Sequence, residues 1–351
     1  MRIIVLLASG LISALVAPLI IAWYRRHRWV DDPQKTPHAK KTHSKPVPRG
    51  GGLVVFIGIL VASLLFLNID IYLKAILLGA GLLTLVGTLD DIFDLHPVIR
   101  LITGLIAGLL VVGTGISIAY VSNPLGPGVI HLDTPFWQVA LNGQQIGIAL
   151  SGILAVGFIL WNMNILNWSK GVDGQLPGFV SIAAIFIGLL SLRFQDDPTT
   201  FNTSYLSFIV AGAYLGLLIW NWYPQKMMPG YGGGSLAGFF LSVLAILSGA
   251  KVAATLMVVA LPTADGIFTI TRRILAGKSP LWGDRGHLHH KLMDLFGWGK
   301  RRIAVFYWLA SLLLGLVSLY LNTVGKIIAI TIAVVFVFSF LIWAKQRSQK
   351  S

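Results

Sequence analysis

The chain has 351 residues, 56% of them hydrophobic and 11% charged, with a mean hydropathy of +0.79, well outside the averages of soluble globular domains. A formal net charge of +14 raises nucleic acid as a partner, but the cations sit between apolar runs instead of decorating a soluble face, so nucleic acid is set aside. With no cysteine there are no disulfides, thiolate nucleophiles or cysteine-based metal sites, and any metal must be held by oxygen or imidazole.

Apolar runs occupy residues 3–24, 51–69, 72–89, 100–121, 146–163, 177–193, 205–223, 235–250, 252–271, 303–321 and 325–344. Each is about long enough to cross a hydrocarbon core roughly 30 Å thick. The reading is an all-α, polytopic integral membrane protein, a single domain over 1–351 with about eleven transmembrane helices. The 235–271 region reads either as one broken hairpin or as two helices. Placing the N-terminus outside puts 25–50, 90–99, 164–176, 224–234, 272–302 and 345–351 in the cytoplasm, with Arg100 at a boundary. That face then holds 22 of the 27 Lys and Arg residues, as positive-inside retention requires, and the C-terminus is cytoplasmic. The expected location is the inner (cytoplasmic) membrane. Cations follow the first apolar run instead of preceding it, which predicts an uncleaved helix. The outside loops at 122–145 and 194–204 have ordinary turn composition.

The first cytoplasmic loop, Arg25 to Gly52, carries eight cations and three histidines against Asp31 and Asp32. It reads as a positive anchor on anionic headgroups, or as a phosphate site in which prolines stiffen the loop and Gly50–Gly52 admit a ligand to the backbone. Lys41, His43 and Arg49 are its candidate phosphate ligands. The second loop places Asp90, Asp91 and Asp94 at the end of the third run. Such carboxylates are a helix cap and solvated turn, or a metal site or general base, since adjacent charges repel unless a cation or proton joins them.

In the third loop Asn164 and Asn167 precede Lys170 and the Gly-flanked Asp173; the asparagines serve as caps or as ligand contacts. The fourth loop, Gly230–Ser235, is a glycine-rich turn entering a helix, able to offer amides to a phosphate and also common between membrane helices. The fifth loop runs from Asp284 through Arg285, His287, His289 and His290, a compact cationic and imidazole cluster suited to phosphate or metal. Seven of the eight histidines fall on the same face as these five loops. One shared site for a polyanionic, water-soluble ligand and a membrane-dissolved partner accounts for that placement. A transporter would put its charges near the bilayer midplane, where only Asp265 qualifies.

These motifs together resemble the polyprenyl-phosphate N-acetylhexosamine-1-phosphate transferases of the WecA/MraY type. Lys40 to His43 with Pro46, Pro48, Arg49 and the following glycines look like the family's basic Pro-Gly loop. Asp90, Asp91 and Asp94 match its aspartate-rich loop, Asn164 and Asn167 its paired asparagines, Asp284 to His290 its DRGHLHH loop, and Asp265 an aspartate shortly before it. The resemblance covers most of the chain and implies transfer of a sugar 1-phosphate from a UDP-sugar to a polyprenyl phosphate, releasing UMP, with Mg2+ as cofactor. The loop forms look more like the N-acetylglucosamine branch than the muramoyl-pentapeptide branch.

Carried over residue by residue, the resemblance makes Asp90 and Asp91 the base or lipid-phosphate pair, with Asp173 catalytic and a metal ligand. Asn164, Asn167, Lys170 and Asp265 would join Lys41, His43 and Arg49 in substrate binding, and Arg285, His287, His289 and His290 would hold the diphosphate and sugar. It leaves room for a homodimer. Two positions depart from the pattern: Lys170 stands where the family carries aspartate, and Gly232 replaces an aspartate associated with magnesium. Either the Lys170 ammonium takes over part of the metal's role, or the chain is a catalytically silent relative that retains lipid or nucleotide binding.

Overall fold

A computed structural model describes residues 1–34, 42–123, 126, 128–141, 144–192, 198–249, 252–279 and 285–347. The described residues form the helices α1 (Arg2–Arg26), α2 (Gly51–Phe66), α3 (Ile71–Phe93), α4 (Pro97–Val112), α5 (Leu150–Trp168), α6 (Gln175–Ser191) and α7 (Pro198–Asn221). They continue with α8 (Gly230–Leu247), α9 (Val252–Val258), α10 (Ala260–Leu275), α11 (Leu288–Phe296), α12 (Lys300–Ser318) and α13 (Thr323–Arg347).

Among the described residues, seven helices are long and apolar enough to cross a membrane: α1, α3, α5, α7, α8, α12 and α13. The pair α9 and α10, bent by 82°, makes an eighth if it is one broken span. Every predicted apolar run contains a helix, but α2, α4 and α6 are only 16, 16 and 17 residues long. Proline and glycine set the ends of two of them. Pro97 opens α4 and Gly113 closes it, well before the predicted end at 121, while Gly174 in a left-handed conformation (φ 78°) starts α6. The 235–271 stretch is two helices, the second of them broken. Pro262 cannot donate to the Val258 carbonyl four residues back, and that carbonyl instead accepts from Ser311 Oγ at 3.0 Å, which anchors the bend on α12.

Helix α8 is the centre: 89% of its span is buried, against 22% for α1 and 17% for α13, whose leucines and isoleucines face outward. Helices α2, α3 and α5 pack on α8, α1 and α6 on α7, α12 on α6, and α13 on α10. Small residues set the close crossings. A Cβ on Gly212 would run into the Leu6 carbonyl and one on Gly216 into the Gly10 carbonyl, so α1 and α7 meet backbone to backbone.

Three short antiparallel hairpins accompany the helices: β1 (Val30–Asp31) with β2 (Val47–Pro48), β3 (Tyr120–Ser122) with β4 (Val129–His131), and β5 (Pro135–Leu141) with β6 (Gln144–Ala149). The last two lie in and beside the segment expected to be plain loop. Alternating residues around an Asn-Gly pair between Leu141 and Gln144 are a two-residue hairpin signal, and the ladder shortens the fifth apolar run so that α5 begins at Leu150.

Candidate active site

The five loops meet at one end of the bundle. Thr42 Oγ1 of the first loop donates to the Gly171 carbonyl of the third at 3.1 Å. Met228 N donates to the Pro48 carbonyl at 2.8 Å and Gly51 N to the Met228 carbonyl at 3.0 Å, tying the first loop to the fourth. A Cβ on Gly52 or Gly87 would overlap the Gly232 backbone, so α2 and α3 close directly onto the first turn of α8. The His289 imidazole lies against Gly171, joining the fifth loop to the third.

The second loop contributes two carboxylates with different partners. Asp90, buried, is paired with Arg100 Nε, whose Nη2 reaches Asp94 at 2.9 Å. The Arg100 guanidinium also covers the Tyr231 ring, 5.3 Å from its centroid. Asp91 Oδ1 accepts from the Tyr231 amide at 2.8 Å, at the positive end of α8. Beside it Lys170 Nζ donates to the Gly230 carbonyl at 2.6 Å, and Gly230 adopts φ 69°. A side chain at Gly230 would collide with both the Arg49 carbonyl and Asp91. Arg49 is held from the far side by Asp31 at 2.7 Å, and the His43 ring is 3.3 Å from the Asp31 carbonyl.

Burial pushes the Lys170 ammonium down to about 8, with Asp91 and Asp90 opposing the shift and Arg49 and Arg100 adding to it. Burial works against Arg49 as well, but Asp31, Asp91 and Asp94 outweigh it and raise its pKa.

The fifth loop is organised by Asp265 on α10. Its Oδ2 meets His287 Nδ1 at 3.0 Å and its Oδ1 accepts from the Leu288 amide at 2.8 Å, capping α11. His287 and His289 stack with centroids 5.7 Å apart, and His290 follows 4.3 Å beyond. Burial holds His289 well below the usual imidazole range, with His290, His287 and Arg285 adding to it. Burial with the charges of Arg285 and His287 lowers His290 to about 4. Both rings are therefore neutral at pH 7, and each leaves a buried Nδ1 without a partner among the described residues. The same holds for Asn167 Oδ1, which lies against Gly234.

Three expected residues are placed differently. Asp173 has both oxygens occupied, by Lys300 Nζ at 3.1 Å and the Gln225 amide at 3.1 Å. Arg285, just before α11, pairs with Asp294 of that helix at 2.6 Å. Asn164 bonds back to the Leu160 carbonyl and lines an apolar cavity of about 320 Å³ with Leu101, Trp161, Ile165, Trp168 and Ile270. Lys41 and Asp284 lie outside the described residues.

Against this geometry, the sequence matches the profile of glycosyl transferase family 4 over residues 73–249, half of the chain. The chain belongs to glycosyl transferase family 4. Among curated relatives it is 27% identical to the decaprenyl-phosphate N-acetylglucosaminephosphotransferase of Mycolicibacterium smegmatis, over 93% of this chain and 86% of that protein. It is 27% identical to the probable undecaprenyl-phosphate N-acetylglucosaminyl 1-phosphate transferase of Bacillus subtilis, over 92% of this chain and 86% of the relative. Similarity extends at 26% to the phospho-N-acetylmuramoyl-pentapeptide-transferase of Bacillus subtilis, over 90% and 96%.

For a member of this glycosyl transferase family, the donors among the described residues fit magnesium poorly. Among the described residues no three His, Asp or Glu side chains form a metal-binding group. The carboxylates are instead matched one by one: Asp90 with Arg100, Asp91 with the α8 amide and the nearby Lys170 charge, Asp173 with Lys300, Asp265 with His287. A divalent cation near Asp91 would face the Lys170 ammonium, and like charges in low dielectric repel strongly.

Two functional partners went unrecognised in the sequence. Arg100 was only a boundary cation, and Lys300 only one of several positive loop charges. Arg100 carries a readable signal: a lone arginine opening an apolar helix, one turn beyond an acidic helix end. Lys300 has none, because the pairing spans 127 residues.

Proposed function

We propose that the protein transfers N-acetylglucosamine 1-phosphate, or a related N-acetylhexosamine 1-phosphate, from a UDP-sugar to polyprenyl (undecaprenyl) phosphate, releasing UMP. This would be the first membrane step of cell-envelope glycan synthesis. The observation that carries the reading is the convergence of five loops, which gathers Arg49, Lys170 and Arg100 around paired aspartates and joins three imidazoles to them through Gly171, with an apolar cavity of about 320 Å³ lined by Leu101 and Trp168. That combination suits a nucleotide diphosphate meeting a lipid phosphate. The names of the relatives support both the lipid acceptor and the N-acetylglucosamine group.

The chemistry is phosphoryl transfer, in which catalysis is chiefly positioning and charge neutralisation. A lipid-phosphate oxygen attacks the phosphorus bearing the sugar, the bridging P–O bond breaks, and the electron pair leaves on the UMP phosphate. Arg49 and Lys170 offset phosphate charge, and Asp91, fixed on the α8 amide, orients the attacking group. The neutral His289 and His290 and the free Asn167 oxygen offer hydrogen bonds to diphosphate and sugar. Asp173, already paired, holds the third loop in place. The lysine and arginine distribution supports a cytoplasmic site, with α2, α4 and α6 also crossing, eleven spans in all, and the N-terminus outside.

The test is purified protein in nanodiscs with polyprenyl phosphate and radiolabelled UDP-N-acetylglucosamine. Label appearing in lipid in step with UMP is the expected result. UDP-sugar binding without product under any metal condition overturns the reading.

A further inference from the structure

We propose that the Lys170 ammonium is the built-in cation of the phosphoryl-transfer centre, and that this protein transfers sugar phosphate without a divalent metal. The inference rests on the reaction proposed above and concerns the means of neutralising its charge.

Lys170 is placed for this task by contacts on every side. Its Nζ is fixed on the Gly230 carbonyl at 2.6 Å, and Gly230 also abuts Asp91 and the Arg49 backbone. The next residue, Gly171, is clamped between Thr42 Oγ1 and the His289 ring. The ammonium therefore stands beside the paired aspartates, and the backbone that carries it runs on to the imidazole cluster through Gly171. Asp90 and Asp91 are its anionic neighbours and Arg49 and Arg100 its cationic ones.

Among the described residues Asp90, Asp173 and Asp265 are committed to Arg100, Lys300 and His287, which leaves Asp91, on the α8 amide beside Lys170. Gly232 brings no carboxylate, although a Cβ there would find ordinary contacts of 3.5 and 3.7 Å to the Gly52 and Gly87 Cα atoms. Magnesium takes octahedral oxygen ligation, commonly from one or two carboxylates plus substrate phosphates. A lysine binds phosphate as a point charge and needs none of that geometry.

The balance requires nothing more. The new P–O bond to the lipid phosphate forms as the bridging P–O bond breaks, the electron pair stays on the departing UMP oxygen, and total charge is unchanged. No proton must be delivered, and Lys170 offsets charge on the transferred group and the leaving oxygen.

Two readouts test this on the full chain in nanodiscs. In the first, turnover is followed with EDTA and then with added Mg2+, for the native protein and for Lys170→Met and Lys170→Arg. Chelator-resistant turnover, a loss of about a hundredfold or more in kcat for Lys170→Met and partial retention in Lys170→Arg are expected. In the second, Mn2+ binding is read by electron paramagnetic resonance without substrate, on the native protein and on Lys170→Asp combined with Gly232→Asp. Bound Mn2+ only in the double variant is expected. Turnover abolished by EDTA and restored by Mg2+, or stoichiometric Mn2+ in the native protein, overturns the inference while leaving the transferase reading intact. Absence of product with and without metal overturns both.

Discussion

Asp265 Oδ2 lies 3.0 Å from His287 Nδ1 while its Oδ1 takes the Leu288 amide, so one carboxylate sets both a ring orientation and the start of a helix. The neighbouring His289 and His290 then inherit their positions from α11. Asp265→Asn should lower stability by about 1–3 kcal/mol and raise the KM for UDP-sugar. Thr269→Val, removing the longer 3.4 Å contact to the same ring, should do neither to a comparable degree. Thermal unfolding and steady-state kinetics on both variants read the difference, and equal effects would sink the orienting role.

The Asp173–Lys300 pair is buried and joins the third loop to the start of α12. Breaking such a pair by removing one partner leaves an uncompensated charge and costs about 3–5 kcal/mol. Asp173→Asn should therefore destabilise strongly, and adding Lys300→Met should recover part of the loss. A double-mutant cycle on unfolding decides. If Asp173→Asn abolishes turnover with native stability, Asp173 acts in the chemistry instead.

Gly230 has φ 69° with the Arg49 carbonyl and Asp91 against it, whereas Gly249 has φ 75° with nothing within 4 Å. Gly249→Ala should cost about 1–3 kcal/mol through backbone strain alone. Gly230→Ala should cost more and displace Asp91 and Lys170, removing turnover. Similar unfolding and kinetic results for the two variants would contradict the crowding at Gly230.

Lys170 titrates near 8 in the folded chain because of burial, and a free lysine near 10.4. Between those values the unfolded chain binds more protons, so this group makes stability rise with pH across the window. Below about 8 the full cost of burying the ammonium is present. Native protein should therefore gain stability relative to Lys170→Met as pH rises from about 7 to 10. A constant or opposite difference in chemical unfolding rejects the depressed value.

His289 and His290 are neutral at pH 7 because burial and nearby Arg285 and His287 disfavour their charged forms. An arriving diphosphate favours those charged forms. Binding of UDP-N-acetylglucosamine should therefore take up protons, increasingly so as pH falls from about 7 to 5. Calorimetry in two buffers of different ionisation enthalpy measures this directly. Proton release on binding would place the diphosphate away from the imidazoles.

Much of this was legible from the chain alone. Apolar run length required lipid and helices, because in hydrocarbon every backbone polar group must be satisfied internally. Counting lysine and arginine put the five polar loops on one face, and the structure brings those loops together at one end of the bundle. The β5–β6 hairpin was also written, in its alternation around Asn-Gly, and was overlooked beside stronger helical periodicity.

Tertiary structure alone decided which charges meet. That Asp173 belongs to Lys300 and Asp91 to the α8 amide depends on approaches spanning 127 and 140 residues, which no local pattern encodes. The break at Val259 likewise needed Ser311 of another helix to donate to the Val258 carbonyl that Pro262 leaves free. Local sequence sets which groups a segment carries, but their protonation, partners and reach follow from the packing that buries them.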